Sequence, residues 1–96
     1  MRSAYIVAYD ICAPERLRAV YKTMRGFGDR MQYSVFRCEL NEAELVKLEA
    51  ALLPLLKHDE DQVVIVPLGP PRGRYDGKIY ALGRPYVEIE HKMVVI

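Results

Sequence analysis

A continuous apolar run, Tyr5-Ile6-Val7-Ala8-Tyr9, stops abruptly at Asp10. A run rich in strand formers and lacking polar alternation reads as a central strand covered on both faces. A chain that buries such a strand must supply the layers that cover it, and two helices follow. Pro14 suits the first turn of a helix, where its missing N–H would be unpaired anyway. Leu17, Val20, Tyr21 and Met24 continue from it at helical spacing as one apolar stripe. Gly26 and Gly28 are expected to end that helix, glycine being the residue that accepts a left-handed cap. The second helix begins at Asn41, a good N-cap, with Glu44 placed to close a capping box and Glu42 and Glu44 at the positive end of the dipole. Its buried stripe is Leu45, Leu48, Leu52, Leu55 and Leu56.

Between the helices, Arg30 to Leu40 reads as extended chain. Pattern alone leaves open one kinked strand or two short ones breaking near Tyr33-Ser34. Val63-Val64-Ile65-Val66 predicts another buried strand, Pro70-Pro71 breaks the chain, and Asp76-Gly77 signals a turn before a strand at Lys78 to Leu82. Strand, helix, strands, helix, strand and an extra strand point to an α+β fold, a ferredoxin-like βαββαβ sandwich. At 96 residues the chain has room for one domain, 1–96. The segment 84–96 would be a C-terminal strand or tail ending in Met93-Val94-Val95-Ile96. A free apolar strand invites aggregation, so this tail is expected to pair, in a homodimer, with a second copy of the chain.

Composition, 51% hydrophobic and 28% charged, fits a packed core and excludes disorder. No segment approaches the ~20 apolar residues of a membrane span, and the first strand is too short for a signal-peptide core. Cys12 and Cys38 lack disulfide-scaffold or metal-ligand spacing and read as reduced thiols of a cytoplasmic protein. The net charge of +1 conceals a gradient. Met1 to Arg37 carries seven Lys/Arg against three Asp/Glu, and Cys38 to Gln62 two against seven. A local anion-binding face is therefore compatible with a nearly neutral chain.

Asp10 is the foremost candidate for chemistry. A carboxylate closing an apolar strand is costly to bury unpaired; the plainer alternative is a solvated strand end or a cap for the next helix. Arg16 and Arg18 stand in the first turns of that helix, where cations are mildly unfavourable, and a broken local rule tends to mark function. Tyr9, Asp10, Arg16, Arg18 and Arg30 would gather a carboxylate, a phenol and guanidiniums at one sheet edge. Carboxylate, divalent cation and Arg form a vocabulary for phosphodiester chemistry. One Asp is a poor metal site, but a two-fold axis near Asp10 would supply its copy. Arg18, Lys22 and Arg25 share a flank of the first helix and could hold a nucleic-acid backbone. Arg25-Gly26-Phe27-Gly28 matches half of an RNA-recognition signature, which then fails at Asp29 and Gln32. Asp59-Glu60-Asp61 reads as a solvated turn, and His58 and His91 as surface residues.

Tyr9-Asp10-Ile11, the Arg-rich start of helix one, Arg30-Met31-Gln32-Tyr33-Ser34-Val35-Phe36, Cys38-Glu39-Leu40 and Asp61-Gln62-Val63 together resemble the CRISPR-associated Cas-two family over roughly the first two thirds of the chain. The resemblance implies a ferredoxin-like homodimer whose C-terminal strand crosses onto the partner subunit. It implies work with the Cas-one integrase in acquiring spacers for antiviral defence, and a magnesium- or manganese-dependent endonuclease acting on RNA or DNA. Carried onto this chain, it makes Asp10 the metal ligand, one from each protomer. Tyr9, Arg16, Arg18, Arg30 and Phe36 match positions the family uses near that site. Two readings compete with a nuclease: a non-catalytic DNA-binding adaptor of the integration complex, and a ribonuclease toxin resembling the VapD type.

Overall fold

The computed structural model describes residues 1–70 and 80–84. In chain order the elements are β1 (Ser3–Asp10), α1 (Pro14–Arg25), β2 (Gly28–Gln32), β3 (Val35–Leu40), α2 (Glu42–Leu52), a 3-10 turn at Leu53–Leu55, and β4 (Gln62–Gly69). The strands form one four-stranded sheet of order β2-β3-β1-β4. Every neighbouring pair is antiparallel. This is the ferredoxin-like βαββαβ arrangement that the pattern predicts.

The apolar stripes explain why the helices lie where they do. Val20 and Met24 of α1, with Leu48 and Leu52 of α2, are buried against Val7, Tyr9, Phe36, Cys38 and Leu40 of the sheet. Leu17, Leu45, Leu55 and Leu56 flank this cluster, half-buried. Asn41 caps α2 as expected: its side-chain oxygen accepts from the Glu44 N–H at 2.8 Å. The Asn41 N–H donates to Glu44 Oε1 at 2.9 Å.

The extended segment after α1 resolves as two strands, β2 and β3, joined by a hairpin with its tip at Tyr33-Ser34. Several details differ from the sequence pattern. Both helices lie on one side of β1, where Val7 and Tyr9 are buried, while Ile6 and Ala8 on the other side are only half-buried. Periodicity registers that both faces are apolar but not what covers each. Gly26 caps α1 in right-handed geometry at φ −80°, not left-handed. Gly28 lies in β2 for a different reason: a Cβ there would sit 2.5 Å from both Arg37 O and Cys38 Sγ. α2 stops at Leu52, and its leucine stripe continues through a 3-10 turn that contains Pro54. Among the described residues β4 is an edge strand, and Val64 and Val66 are 44% and 43% exposed.

Tyr80, Ala81 and Leu82 carry no strand. The Asp76-Gly77 turn, His91 and the tail strand from 85 onward lie outside the described residues. No helix among the described residues is long and apolar enough to cross a membrane.

Candidate nucleic-acid and metal site

Alternation along β1 sends Asp10 to the side opposite Tyr9. The Asp10 residue is exposed, and its side chain makes no hydrogen bond or ion pair with any described residue. Its strand neighbours on that open side are Ala8 and Ile6, and across β4 their register partners Gln62, Val64 and Val66. The carboxylate therefore stands at one end of an apolar stretch of sheet that no described element covers. Carboxylate oxygens are the donors a hard divalent cation prefers.

Tyr9 points into the core, where its ring stacks on Phe36 with centroids 6.2 Å apart and planes at 26°. Its hydroxyl is buried and has no hydrogen-bond partner among the described residues. Burial pushes the Tyr9 phenol up, and the Arg30 charge partly offsets this. Phe36 meets Tyr21 edge-on at 5.8 Å. Arg30 lies over Tyr21 at 5.3 Å and over Tyr33 at 5.5 Å. The Tyr9 N–H donates to Ser34 O at 3.0 Å, which pins the hairpin tip to the end of β1. Tyr9, Arg30 and Phe36 thus meet on the helix side of the strand end that carries Asp10 on its other side.

Arg16 is engaged elsewhere. Its Nε donates to Asp61 Oδ2 at 2.6 Å, and its second nitrogen to Asp61 Oδ1 at 3.1 Å and Glu60 Oε1 at 3.2 Å. Asp61 also accepts from the Cys12 N–H at 2.9 Å and the Lys57 N–H at 2.8 Å. Its side chain is 0% exposed. The bond from Arg16, helped by these backbone donors, holds the Asp61 carboxyl far below the usual carboxylate range, against the effect of burial. Asp61 is therefore a buried clamp and not part of a solvated turn. It also explains a cation in the first turn of α1: the pairing with Asp61 outweighs the mild penalty of the helix dipole.

Arg18, Lys22 and Arg25 are exposed on α1. Their spacing places them on one flank, and Arg25 lies 5.9 Å over the Tyr21 ring. A cleft of about 560 Å³ opens between Arg2, Arg25, Gly28, Glu44 and Lys47, and Asp10 does not line it. Two of its cations are neutralised, Arg2 by Glu44 at 2.6 Å and Arg37 by Glu39 at 2.7 Å.

The fit to a divalent cation is incomplete in one chain. Among the described residues no group of three His, Cys, Asp or Glu side chains converges. Asp10 supplies one oxygen donor of the right chemistry, fewer than a hard divalent cation takes. Sequence reasoning singled out Asp10, Tyr9, Arg30 and Phe36, which the structure gathers about one strand end, but it passed over Asp61, Tyr21 and Tyr33. The first of these carried a readable signal. Asp61 adjoins an apolar strand as Asp10 does, and only its pairing with Arg16, distant in sequence, was hidden.

Comparison with known proteins places this geometry. Residues 3–72 match the family model described as CRISPR associated protein Cas2. The chain is 38% identical over 96 residues to the CRISPR-associated endoribonuclease Cas2 of Geobacter sulfurreducens, covering 100% of both. Among solved structures it resembles a hypothetical protein from Thermus thermophilus, with TM-score 0.77 and 30% identity over 91% of this chain and 98% of that one. It also resembles Streptococcus pyogenes Cas2, with TM-score 0.74 and 29% identity over 83% of this chain and 99% of that one. Matched by the family model over most of its length and by full-length relatives, the chain belongs to the CRISPR-associated Cas2 family.

Proposed function

We propose that the protein is a homodimeric, divalent-metal-dependent endonuclease of the CRISPR system that cuts phosphodiester bonds and works with the Cas-one integrase in spacer acquisition. The observation that carries the reading is Asp10: an exposed carboxylate, unpartnered among the described residues, at the end of a central strand and beside an open apolar face. A second copy packed on Ile6, Ala8, Val64 and Val66 would bury that face and bring two Asp10 side chains together, since isologous contacts pair like residues. The C-terminal tail crossing onto the partner would cover the edge of β4. The relative from Geobacter sulfurreducens bears the name endoribonuclease, which favours RNA as one substrate.

Asp10 from each protomer would hold Mg2+ or Mn2+. A bound cation supplies Lewis-acid stabilisation of a phosphate oxygen and lowers the pKa of water. The chain's own cations do the positioning. Arg18, Lys22 and Arg25 contact backbone phosphates along α1 without reading sequence. Arg30, held between Tyr21 and Tyr33, keeps a fixed positive charge near the strand end. Arg16 acts through Asp61 by fixing the loop after Asp10, through Cys12.

Cleavage of labelled RNA and DNA, with and without magnesium, tests this. Asp10→Asn should lower cleavage by at least ~100-fold, because metal charge stabilisation is worth several kcal/mol and ~1.4 kcal/mol is a factor of ten. Magnesium-independent cleavage, or an Asp10→Asn variant as active as the wild type, would overturn it. A non-catalytic adaptor is the second reading, favoured by the exposed flank of Arg18, Lys22 and Arg25, which binds duplex DNA whether or not Asp10 acts. It predicts spacer acquisition unchanged by Asp10→Asn.

A further inference from the structure

We propose that Tyr33, at the tip of the β2–β3 hairpin, is a stacking platform for an unpaired nucleobase. The proposal rests on the nucleic-acid reading above and adds a base-contacting side chain to it. Tyr33 is 69% exposed, one of the large apolar side chains left in solvent. Its ring nevertheless has a neighbour. Arg30 lies 5.5 Å from its ring centroid and 5.3 Å from that of Tyr21. Tyr21 in turn packs edge-on against the fully buried Phe36, which stacks on Tyr9. A continuous series of rings and one guanidinium therefore runs from the core to the surface and ends at Tyr33.

Tyrosine has only two rotatable side-chain bonds, so stacking costs it little conformational entropy. Arg30 beneath it brings a charge for the adjoining phosphate and adds a cation–π contribution. Position supports the same ligand. Ser34, next to Tyr33, accepts the Tyr9 N–H at 3.0 Å, one residue before Asp10. The Tyr9 hydroxyl, 95% or more removed from solvent with its residue at 5% exposure, has no partner among the described residues, so the cluster retains an unused polar atom. Bases inside a duplex present edges, not faces, so this platform suits only an unstacked base.

The test uses the full chain in EDTA, which prevents metal-dependent cutting, and a short labelled RNA presented single-stranded or as a duplex. Stacking on one aromatic predicts that Tyr33→Ala weakens single-strand binding about 5- to 100-fold, while Tyr33→Phe keeps it within about 2-fold. Duplex binding should move less than about 2-fold in both variants, because it depends on phosphate contacts. The chain has no Trp, so Tyr33→Trp places a single indole whose emission should be quenched by the single strand and not by the duplex. Parallel loss on both RNAs, a Tyr33→Phe defect equal to that of Tyr33→Ala, or an indole indifferent to the single strand overturns the proposal. So does a change in sedimentation of Tyr33→Ala, which would make Tyr33 a contact between copies. Base stacking without cleavage would leave this platform standing and remove the nuclease.

Discussion

Asp10 and Asp61 flank the same end of the β1–β4 pair, and their surroundings give them opposite work. Asp61 accepts from Arg16 and two backbone N–H groups and is sealed from water. Its folded-state pKa lies below the ordinary 3.8. It therefore contributes stability that is complete above the ordinary value and fades as pH falls below it. Thermal melts between about pH 5 and pH 2.5 should show a steeper loss for the wild type than for Asp61→Asn, which has no carboxyl to protonate. At neutral pH Asp61→Ala should lower the Tm by ~5 °C or more, because buried donors lose their acceptor. The two thiols are separated just as clearly. Burial pushes the Cys38 thiol up to about 11, whereas Cys12 is exposed. Thiol labelling of the native protein should therefore modify Cys12 alone, and Cys38 only after unfolding. The sequence singled out Asp10 because its neighbours are local. It could not reveal Asp61 as a clamp, since Arg16 and Cys12 reach it only in the folded chain.

At the scale of elements, α1 has two kinds of arginine on it. Arg16 is a structural cation and Arg18 one without a partner among the described residues, and salt separates them. Arg18→Ala should reduce the salt slope of single-strand binding by ~0.7, the value for one lost phosphate contact, while Arg16→Ala should lower the Tm and leave the slope unchanged. The hairpin depends on a close approach at Gly28, where a Cβ would meet Arg37 O and Cys38 Sγ at 2.5 Å. Gly28→Ala should cost ~1–3 kcal/mol by overpacking, read in a denaturant melt. Helix α2 was legible down to its capping box because every part of that signal lies within a few residues of Asn41. Gly28 was misread as a helix end for the opposite reason: the atoms it makes room for belong to the next strand.

Among the described residues the sheet carries helices on one side and an open face on the other, apolar along β1 and β4 and charged at Asp29, Arg37 and Glu39. The ferredoxin-like order was readable because each element carries its own period and the connections are short. The cover of the open face was not readable, since an apolar strand position looks the same whether a helix or a second copy shields it. An apolar cleft of about 160 Å³ beside β4, lined by Leu52, Leu53, Leu56, Val63 and Ile65, leaves further surface for a partner. Sedimentation should therefore give a dimer at micromolar concentration, and Val64→Asp with Val66→Asp on the open face should shift it towards monomer. The sharpest test of a shared site is the stoichiometry of Mn2+ bound to the full chain, followed by titration calorimetry or electron paramagnetic resonance. One ion per two chains, lost in Asp10→Asn, is the predicted result; one ion on every chain, or binding that survives Asp10→Asn, would contradict it.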